Sequence, residues 1–521
     1  MTADAVIDLA ALTPAALPAG VLRDRAVSVL GFARSGIALA RFLADAGGRV
    51  TVYDARPAEE LERAIVALGG RDVRLLLGPD VNPADALAGA ALVTSSPSIN
   101  ADYPTTEPRL RGALAGLIAR RAAGDATAPA IVSEVDLFLR LCPAPTIGIT
   151  GTKGKTTTSA LTHALLATSM GDRAVLGGNM GIPLIERLPG LSARNRVVLE
   201  LSELQLPTMS RGTTIAAYTN VTADHLDRHG TLEAYRGVKR RLAELVDAAG
   251  ALVINLDDPV VATYGSATAA RVVPYRRSEA PDGGLGVEHG WIVAHAMAPL
   301  AGLGEPADAP FAGGRILPLA ELGVPGAHNI SNALAAVAVA LLFGVSPAAI
   351  RRGAAAFTGV EHRLERVAEI DGVRFVNDSQ GTQPDAVIAA LRAFDGPIVL
   401  IAGGRDKGVD LAELATVVGR RAAAAVLIGE SGPDLERLFR DAGLAVTERA
   451  ATLEDAVAAA DRLARNARAA LASRAGGGVS GPAPAIVLLS PAAASFDMFA
   501  DYEARGRAFK VAVARLAEER R

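Results

Sequence analysis

The chain has one cysteine in 521 residues, Cys142, so an internal disulfide framework and a cysteine-based zinc site are both excluded. A lone thiol also fits a reducing compartment, and Cys142 is read as a small apolar side chain. Charge of one sign is missing as well. A formal net charge of −3 gives no electrostatic case for a nucleic acid or an anionic membrane as partner. Nowhere is there an uninterrupted apolar run of about 20 residues, and no basic segment leads into an apolar one at the N-terminus. These absences predict a cytoplasmic protein without a membrane span, and a monomer is expected.

Half the residues are hydrophobic, which is enough for packed cores, and the length calls for more than one. β-rich runs alternate with amphipathic helical stretches, the mark of parallel sheets with crossover helices. Strands are predicted at 26–30, 49–53 and 91–94, then at 146–150, 197–201, 216–219 and 252–255. A third set falls at 373–377, 398–402, 424–428 and 486–489. The expected architecture is α/β with three domains: a Rossmann-like domain over 1–143, a central P-loop ATPase domain over 144–358 and a Rossmann-like domain over 359–521. A hairpin is predicted at 287–293 around Gly290, a flexible loop at 472–484, and an extension of undefined order at 1–20.

The most informative stretch is Thr150-Gly151-Thr152-Lys153-Gly154-Lys155-Thr156, which follows Ile147-Gly148-Ile149 and opens a helical pattern. Backbone N–H groups of such a turn, together with a helix N-terminus, cradle phosphate oxygens. Lys155 would reach the terminal phosphates and Thr156 would offer its hydroxyl to Mg²⁺, with Thr157 following. The usual first glycine falls at position 149, where the chain has Ile, so this is a particular subtype of phosphate loop.

Other polar residues cluster at predicted strand ends, where ligands collect in wound sheets. Glu200 ends one strand, and Asn220, Asp224 and His225 follow the next; Glu200 and His225 could complete metal coordination begun by Thr156. Gly31-Phe32-Ala33-Arg34-Ser35-Gly36 resembles a dinucleotide turn in which Ala33 replaces the middle glycine, and Asp54 ends the following strand. Ser96 and Pro97 belong to a loop lining the same pocket. Lys239, read by itself, is a cation on a solvated helix face, and Asn329 reads as an N-cap. Arg363, Asp378 and Ser495 lie near polar strand ends of the third block.

In order along the chain, Thr150–Thr156, Gly177-Gly178-Asn179-Met180-Gly181, Glu200-Leu201-Ser202, Asn220–Asp227, His328–Asn332, His362-Arg363, Asn377-Asp378-Ser379 and Leu489-Ser490-Pro491 resemble the Mur ligase family. The short first domain and the ending Leu-Ser-Pro-x-x-x-Ser-Phe-Asp-x-Phe resemble members that add D-glutamate to UDP-N-acetylmuramoyl-L-alanine. The resemblance implies ATP and Mg²⁺ as cofactors, the UDP-sugar and glutamate as partners, and an acyl-phosphate intermediate shielded by domain closure. It assigns the UDP moiety to Gly31, Ala33, Arg34, Ser35, Gly36, Asp54, Arg56, Ser96 and Pro97. Asn179 and Gln205 would meet the rest of that substrate, while Gly151, Thr152, Lys153, Gly154, Lys155, Thr156 and Thr157 would hold ATP with Asn329, Arg363 and Asp378. Thr156, Glu200, His225 and a carbamylated Lys239 would bind metal, with Lys155, Lys239, His225 and Glu200 as the catalytic set. Thr382, Lys407, Ser495 and Phe499 fall where the glutamate is held.

Three departures stand out: Gln380 where the glutamate ligases of the family carry lysine, Glu203-Leu204 after Ser202, and Lys153 for the common asparagine. They leave L-glutamate or another amino acid open as the one added. A folylpolyglutamate synthase is disfavoured by the first domain. A P-loop NTPase without ligase activity is the alternative of another class.

Overall fold

The computed structural model describes residues 6–180, 183–224, 226–303, 313–324, 326–406, 409–474 and 483–520. The chain forms two compact units, Met1–Phe357 and Thr358–Arg521. The first carries two sheets and the second carries one. The α/β class expected from the alternation of strands and helices is observed.

The first sheet comprises β1 (Ala26–Leu30), β2 (Arg49–Asp54), β3 (Val73–Leu77), β4 (Leu92–Ser95) and β5 (Ala130–Ser133), all parallel in the order β3-β2-β1-β4-β5. This order places the end of β1 at the point where the winding reverses, the place where such sheets bind ligands. Of the extension of undefined order expected at 1–20, the described part from residue 6 packs against this region: Ile7 and Leu12 are buried, as is Leu22 just beyond it, and Ile7 N–H donates to Ala91 O. Their apolar side chains add to the core that the β1 face needs covered.

The second sheet comprises β6 (Thr146–Thr150), β7 (Ala174–Gly178), β8 (Arg196–Glu200), β9 (Ile215–Tyr218), β10 (Ala251–Asn255), β11 (Arg271–Tyr275), β12 (Leu285–Glu288), β13 (Trp291–His295) and β14 (Gly313–Pro318). Its order is β14-β13-β12-β11-β10-β9-β6-β8-β7, parallel except at the antiparallel β12–β13 and β13–β14 pairs. The hairpin expected around Gly290 is that β12–β13 pair. β6, β8 and β9 are buried along their whole length, as strands covered on both faces are. Their register brings Thr150, Glu200 and Tyr218 to one end of the sheet. The helix Ala327–Leu342 packs against the helix Lys155–Met170, and every residue from 332 to 342 of it is buried. Its N-cap is Gly326, so Asn329 lies inside the first turn and is not the cap; the chain turns into the helix at a glycine with φ of 102° before reaching it.

In the second unit the sheet order is β15-β16-β20-β17-β18-β19, from β15 (Glu365–Ile370), β16 (Val373–Asn377), β17 (Ile398–Gly403), β18 (Ala422–Ile428), β19 (Thr447–Arg449) and β20 (Ala485–Leu489). Only the β15–β16 pair is antiparallel. Asn377 and Leu489 are in register, so the turns after β16 and β20 emerge side by side. Most of the loop expected at 472–484 lies outside the described residues.

Candidate functional site

The phosphate loop is braced by hydrogen bonds to its neighbours. Thr152 N–H donates to Asn220 O (2.7 Å) and Lys153 N–H to Asn220 Oδ1 (3.0 Å). Lys153 O accepts from Thr219 Oγ1 (2.6 Å) and Asn220 Nδ2 (2.9 Å). Gly151 has φ of 150° and Gly154 φ of 85°, both hostile to side chains. A Cβ on the first would overlap the Thr219 hydroxyl, and one on the second the Asn332 amide. The buried Thr152 hydroxyl pairs with Tyr235 OH (3.0 Å) and accepts from Thr222 N–H (3.0 Å). Lys155 Nζ donates to Gly151 O (3.1 Å) and Thr152 O (2.8 Å), so the ammonium lies over the loop's own carbonyls. Thr156 is buried in the first helical turn and Thr157 is half-buried beside it. Lys153 is the exposed residue of the loop and pairs with Asp224 at 3.3 Å.

Lys239 corrects the expectation of a solvated face. It sits on the helix Leu232–Leu245, whose buried residues are Tyr235, Lys239, Leu242 and Ala243, one stripe at helical spacing. Lys239 is fully buried, and its Nζ donates to Thr150 Oγ1 at 3.3 Å and lies 5.5 Å from the centre of the Tyr235 ring. Burial, and next the Lys155 ammonium, pull its pKa down to about 7, against the opposing fields of Glu203, Asp224 and Glu200. Such an amine is a nucleophile at neutral pH, where a surface lysine is not. The sequence offered one signal for this, a lysine on an apolar stripe.

Glu200, also buried, accepts from Asn179 Nδ2 at its Oε1 (3.1 Å); its Oε2 is buried with no hydrogen-bond partner. A buried carboxylate oxygen without a donor fits a cation ligand. Among the described residues no group of three or more His, Cys, Asp and Glu side chains could hold a metal. His225, one of the expected ligands, lies outside the described residues. Asn179 is anchored twice more, its N–H on Glu200 O (2.9 Å) and its O accepting from Arg34 Nη2 (3.1 Å). Arg34 thereby links the glycine turn after β1 to the strand end at Glu200. Gln205 is buried, and its Oε1 accepts from Ser202 N–H and Oγ. Asn329 Oδ1 accepts from Asn332 Nδ2 (3.1 Å), and Asn332 Oδ1 in turn accepts from Thr158 Oγ1 (3.2 Å), tying this helix to the one that follows the phosphate loop.

At the end of β1 the turn from Gly31 to Gly36 packs over Asp54. Both Asp54 oxygens are in use: Oδ2 accepts from Phe32 N–H (2.8 Å) and Arg56 Nη2 (2.8 Å), and Oδ1 from Arg56 N–H and Nε (each 3.0 Å). Burial opposes the charge, but these bonds keep the carboxyl below its ordinary pKa. A cavity of about 380 Å³ opens here, walled by Gly31, Asp54, Ile99, Thr106, Leu204 and Arg228. Ala33 is exposed and Ser35 half-buried; Ser96, whose Oγ lies 3.3 Å from Ser98 Oγ, and the buried Pro97 belong to the loop that also carries Ile99.

In the second unit, Asp378 is buried and pushed up to about pH 6 by burial, against hydrogen bonds from Ser490 Oγ (2.6 Å) and Leu364 N–H (3.1 Å) and the Arg363 charge. His362 and Leu364 have φ of 63° and 46°, so Arg363 is carried between two left-handed residues. Backbone strain of that kind concentrates at ligand sites. Ser495 is buried, and its O accepts from Phe499 N–H (2.8 Å). Thr382 N–H donates to Gln380 O (2.8 Å). Lys407 lies outside the described residues. The sequence reading missed Arg505, a fully buried guanidinium beside Ser379, and Asn332.

Residues 149–340 match the Mur ligase middle domain, and residues 362–474 match the Mur ligase, glutamate ligase domain. A UDP-N-acetylmuramoylalanine--D-glutamate ligase of Symbiobacterium thermophilum is 38% identical over 513 residues, covering 96% of this chain and 100% of its own length. The chain belongs to the Mur ligase family. A second Mur ligase of the same name, from Roseiflexus sp. (strain RS-1), is 39% identical over 498 residues, covering 92% of this chain and 96% of that one. Among solved Mur ligases, UDP-N-acetylmuramate-alanine ligase MurC from Thermotoga maritima shares the fold at 18% identity and a TM-score of 0.51, covering 95% of this chain and all of that one.

Proposed function

We propose that this Mur ligase couples ATP cleavage to amide formation, adding D-glutamate to UDP-N-acetylmuramoyl-L-alanine in cytoplasmic peptidoglycan precursor synthesis, and that it works as a monomer. The observation that carries the reading is the meeting of Lys155, Lys239 and Glu200 at one sheet end, beside a phosphate loop that is already formed. Phosphoryl transfer asks for positioning and charge neutralisation more than for a protein nucleophile, and this arrangement supplies both.

The acceptor carboxylate would attack the γ-phosphate as ADP leaves, and the amine of glutamate would then displace phosphate from the acyl phosphate. Gly151, Thr152, Lys153 and Gly154 would present backbone N–H groups to the phosphates, and Lys155 would leave its loop carbonyls for them. Asn329, Arg363 and Asp378 are proposed as further ATP contacts. Thr156, Glu200, His225 and Lys239 would hold Mg²⁺, which neutralises phosphate charge when bound. Addition of CO₂ to the neutral Lys239 amine, with loss of a proton, would give the carbamate, an anionic ligand in place of the amine. Asn179 and Gln205 would orient the muramoyl end, with Gly31, Ala33, Arg34, Ser35, Gly36, Asp54, Arg56, Ser96 and Pro97 around the UDP. Thr382, Lys407, Ser495 and Phe499 would hold the amino acid.

Phosphate release measured with UDP-N-acetylmuramoyl-L-alanine and a panel of D- and L-amino acids tests this. Release that depends on both acceptor and D-glutamate is expected. Release without any amino acid would point to an NTPase, and selective use of L-glutamate would overturn the D-specificity.

A further inference from the structure

Arg505 heads the large side chains that are fully buried among the described residues, at 1% exposure. It lies in the first turn of the helix Tyr502–Glu519 and heads a buried stripe of Arg505, Phe509, Ala512 and Val513. Its Nε donates to Ser379 Oγ (3.0 Å), Nη2 to Ser379 O (3.0 Å) and Nη1 to Ala493 O (3.3 Å). All three acceptors are neutral. Among the described residues its hydrogen bonds go to no carboxylate, and Asp497 is the acid whose field reaches it. Burial lowers its pKa to about 10, which leaves it a cation at neutral pH.

A buried charge without an opposite charge is costly, and a fold retains one where something else gains from it. The turns that Arg505 grips are the ones after β16 and β20. They are joined to each other by Ser490 Oγ on Asp378 (2.6 Å) and by Ala492 N–H on Gly381 O (2.9 Å). Ser379 Oγ also donates to Tyr502 O (2.8 Å), closing the helix start onto the same turn. Gln380 is uncharged, so that position supplies no positive charge to this turn. The helix N-terminus adds its positive end to the guanidinium.

We propose that Arg505 is the positioning residue that sets the affinity of this unit for the carboxylate of the incoming amino acid. Its fork fixes the two turns against each other, and its uncompensated charge supplies an attractive field from behind them. This rests on the ligase reading above.

The test compares Michaelis constants in the full-length enzyme. R505M is expected to raise the KM of the amino acid about tenfold, with those of ATP and the UDP-substrate within about twofold, as loss of about 1.4 kcal/mol of selective binding would. R505K keeps the charge and is expected to recover most of the loss. Parallel rises in all three constants, or an R505K no better than R505M, would overturn the proposal. If R505M does not fold, D497N decides with the opposite sign: less opposing charge should lower the amino-acid KM about twofold, and an unchanged or higher value counts against it. Glutarate should raise the wild-type melting temperature more than its neutral diamide does. Equal shifts, or a difference that persists unchanged in R505M, overturn the role of Arg505 even in an active ligase, whereas absence of amino-acid-dependent phosphate release sinks the ligase reading itself.

Discussion

Lys239 Nζ donates to Thr150 Oγ1, which itself donates to Leu201 O at 2.8 Å, so the buried amine is tied to the last residue of the strand that feeds the phosphate loop. Removing the amine should therefore remove the proposed metal ligand, without disturbing the loop that Asn220 holds. Lys239→Ala is expected to lose about 100-fold in kcat, the scale of losing one metal-site group. Millimolar short-chain carboxylate should restore part of it, read as phosphate release. Full activity of the variant would reject the carbamate.

Tyr235 and Thr152 share one hydrogen bond behind the loop, but Thr152 also accepts from Thr222 N–H. Tyr235→Phe should cost about 1 kcal/mol and Thr152→Val about 2 kcal/mol, because the latter leaves a backbone donor unsatisfied as well. Denaturant unfolding of both single variants and the double variant should give a coupling of about 1 kcal/mol. A coupling near zero would mean the two hydroxyls are satisfied separately.

Glu134 is buried and its carboxyl is raised to about 7 by desolvation, against a 3.4 Å hydrogen bond from Ile185 N–H and the Arg34 charge. A raised pKa means the folded state holds the proton more tightly, so stability falls as pH rises from the ordinary 4.5 through about 7. At about 1.4 kcal/mol per unit the effect is roughly 3 kcal/mol. Glu134→Gln keeps the acceptor and should flatten this slope, melting higher than wild type at pH 8 and about equally at pH 4. Identical pH–Tm curves would contradict it.

Cys142 is buried, its thiol raised to about 11 by desolvation. The native protein should not react with a disulfide reagent at pH 8 over minutes, and should titrate one thiol once unfolded. Rapid native labelling would place the thiol within reach of solvent.

The phosphate loop, its helix and the strands on either side of it were legible because each depends on local chemistry: β-branched runs, then glycines, then a lysine. β3, β7 and β19 were not, since Val73–Leu77, Ala174–Gly178 and Thr447–Arg449 are short strands whose pairing is set by neighbours distant in sequence. Lys239 and Arg505 show the other limit. Each sits in register with apolar residues four, or seven and eight, positions on: Ala243 for Lys239, and Phe509, Ala512 and Val513 for Arg505. A composition reading assigns such cations to solvent. In the structure both lie on buried stripes, and what each meets there is fixed by segments elsewhere in the chain. For Lys239 it is Thr150 Oγ1, 89 positions away. For Arg505 it is the Ser379 hydroxyl and carbonyl, 126 positions away, with Ala493 O, 12 positions away. Asp54 was legible as a strand-end acid, while its use as the acceptor for Phe32 and Arg56 was not.

Asn220 holds the phosphate loop at three points, through Thr152 N–H, Lys153 N–H and Lys153 O. Nucleotide exchange is therefore expected to need no refolding of the loop between turnovers. In a stopped-flow trace this would appear as nucleotide binding in a single phase whose rate rises linearly with concentration. Any slow, saturating phase would then belong to some other part of the chain.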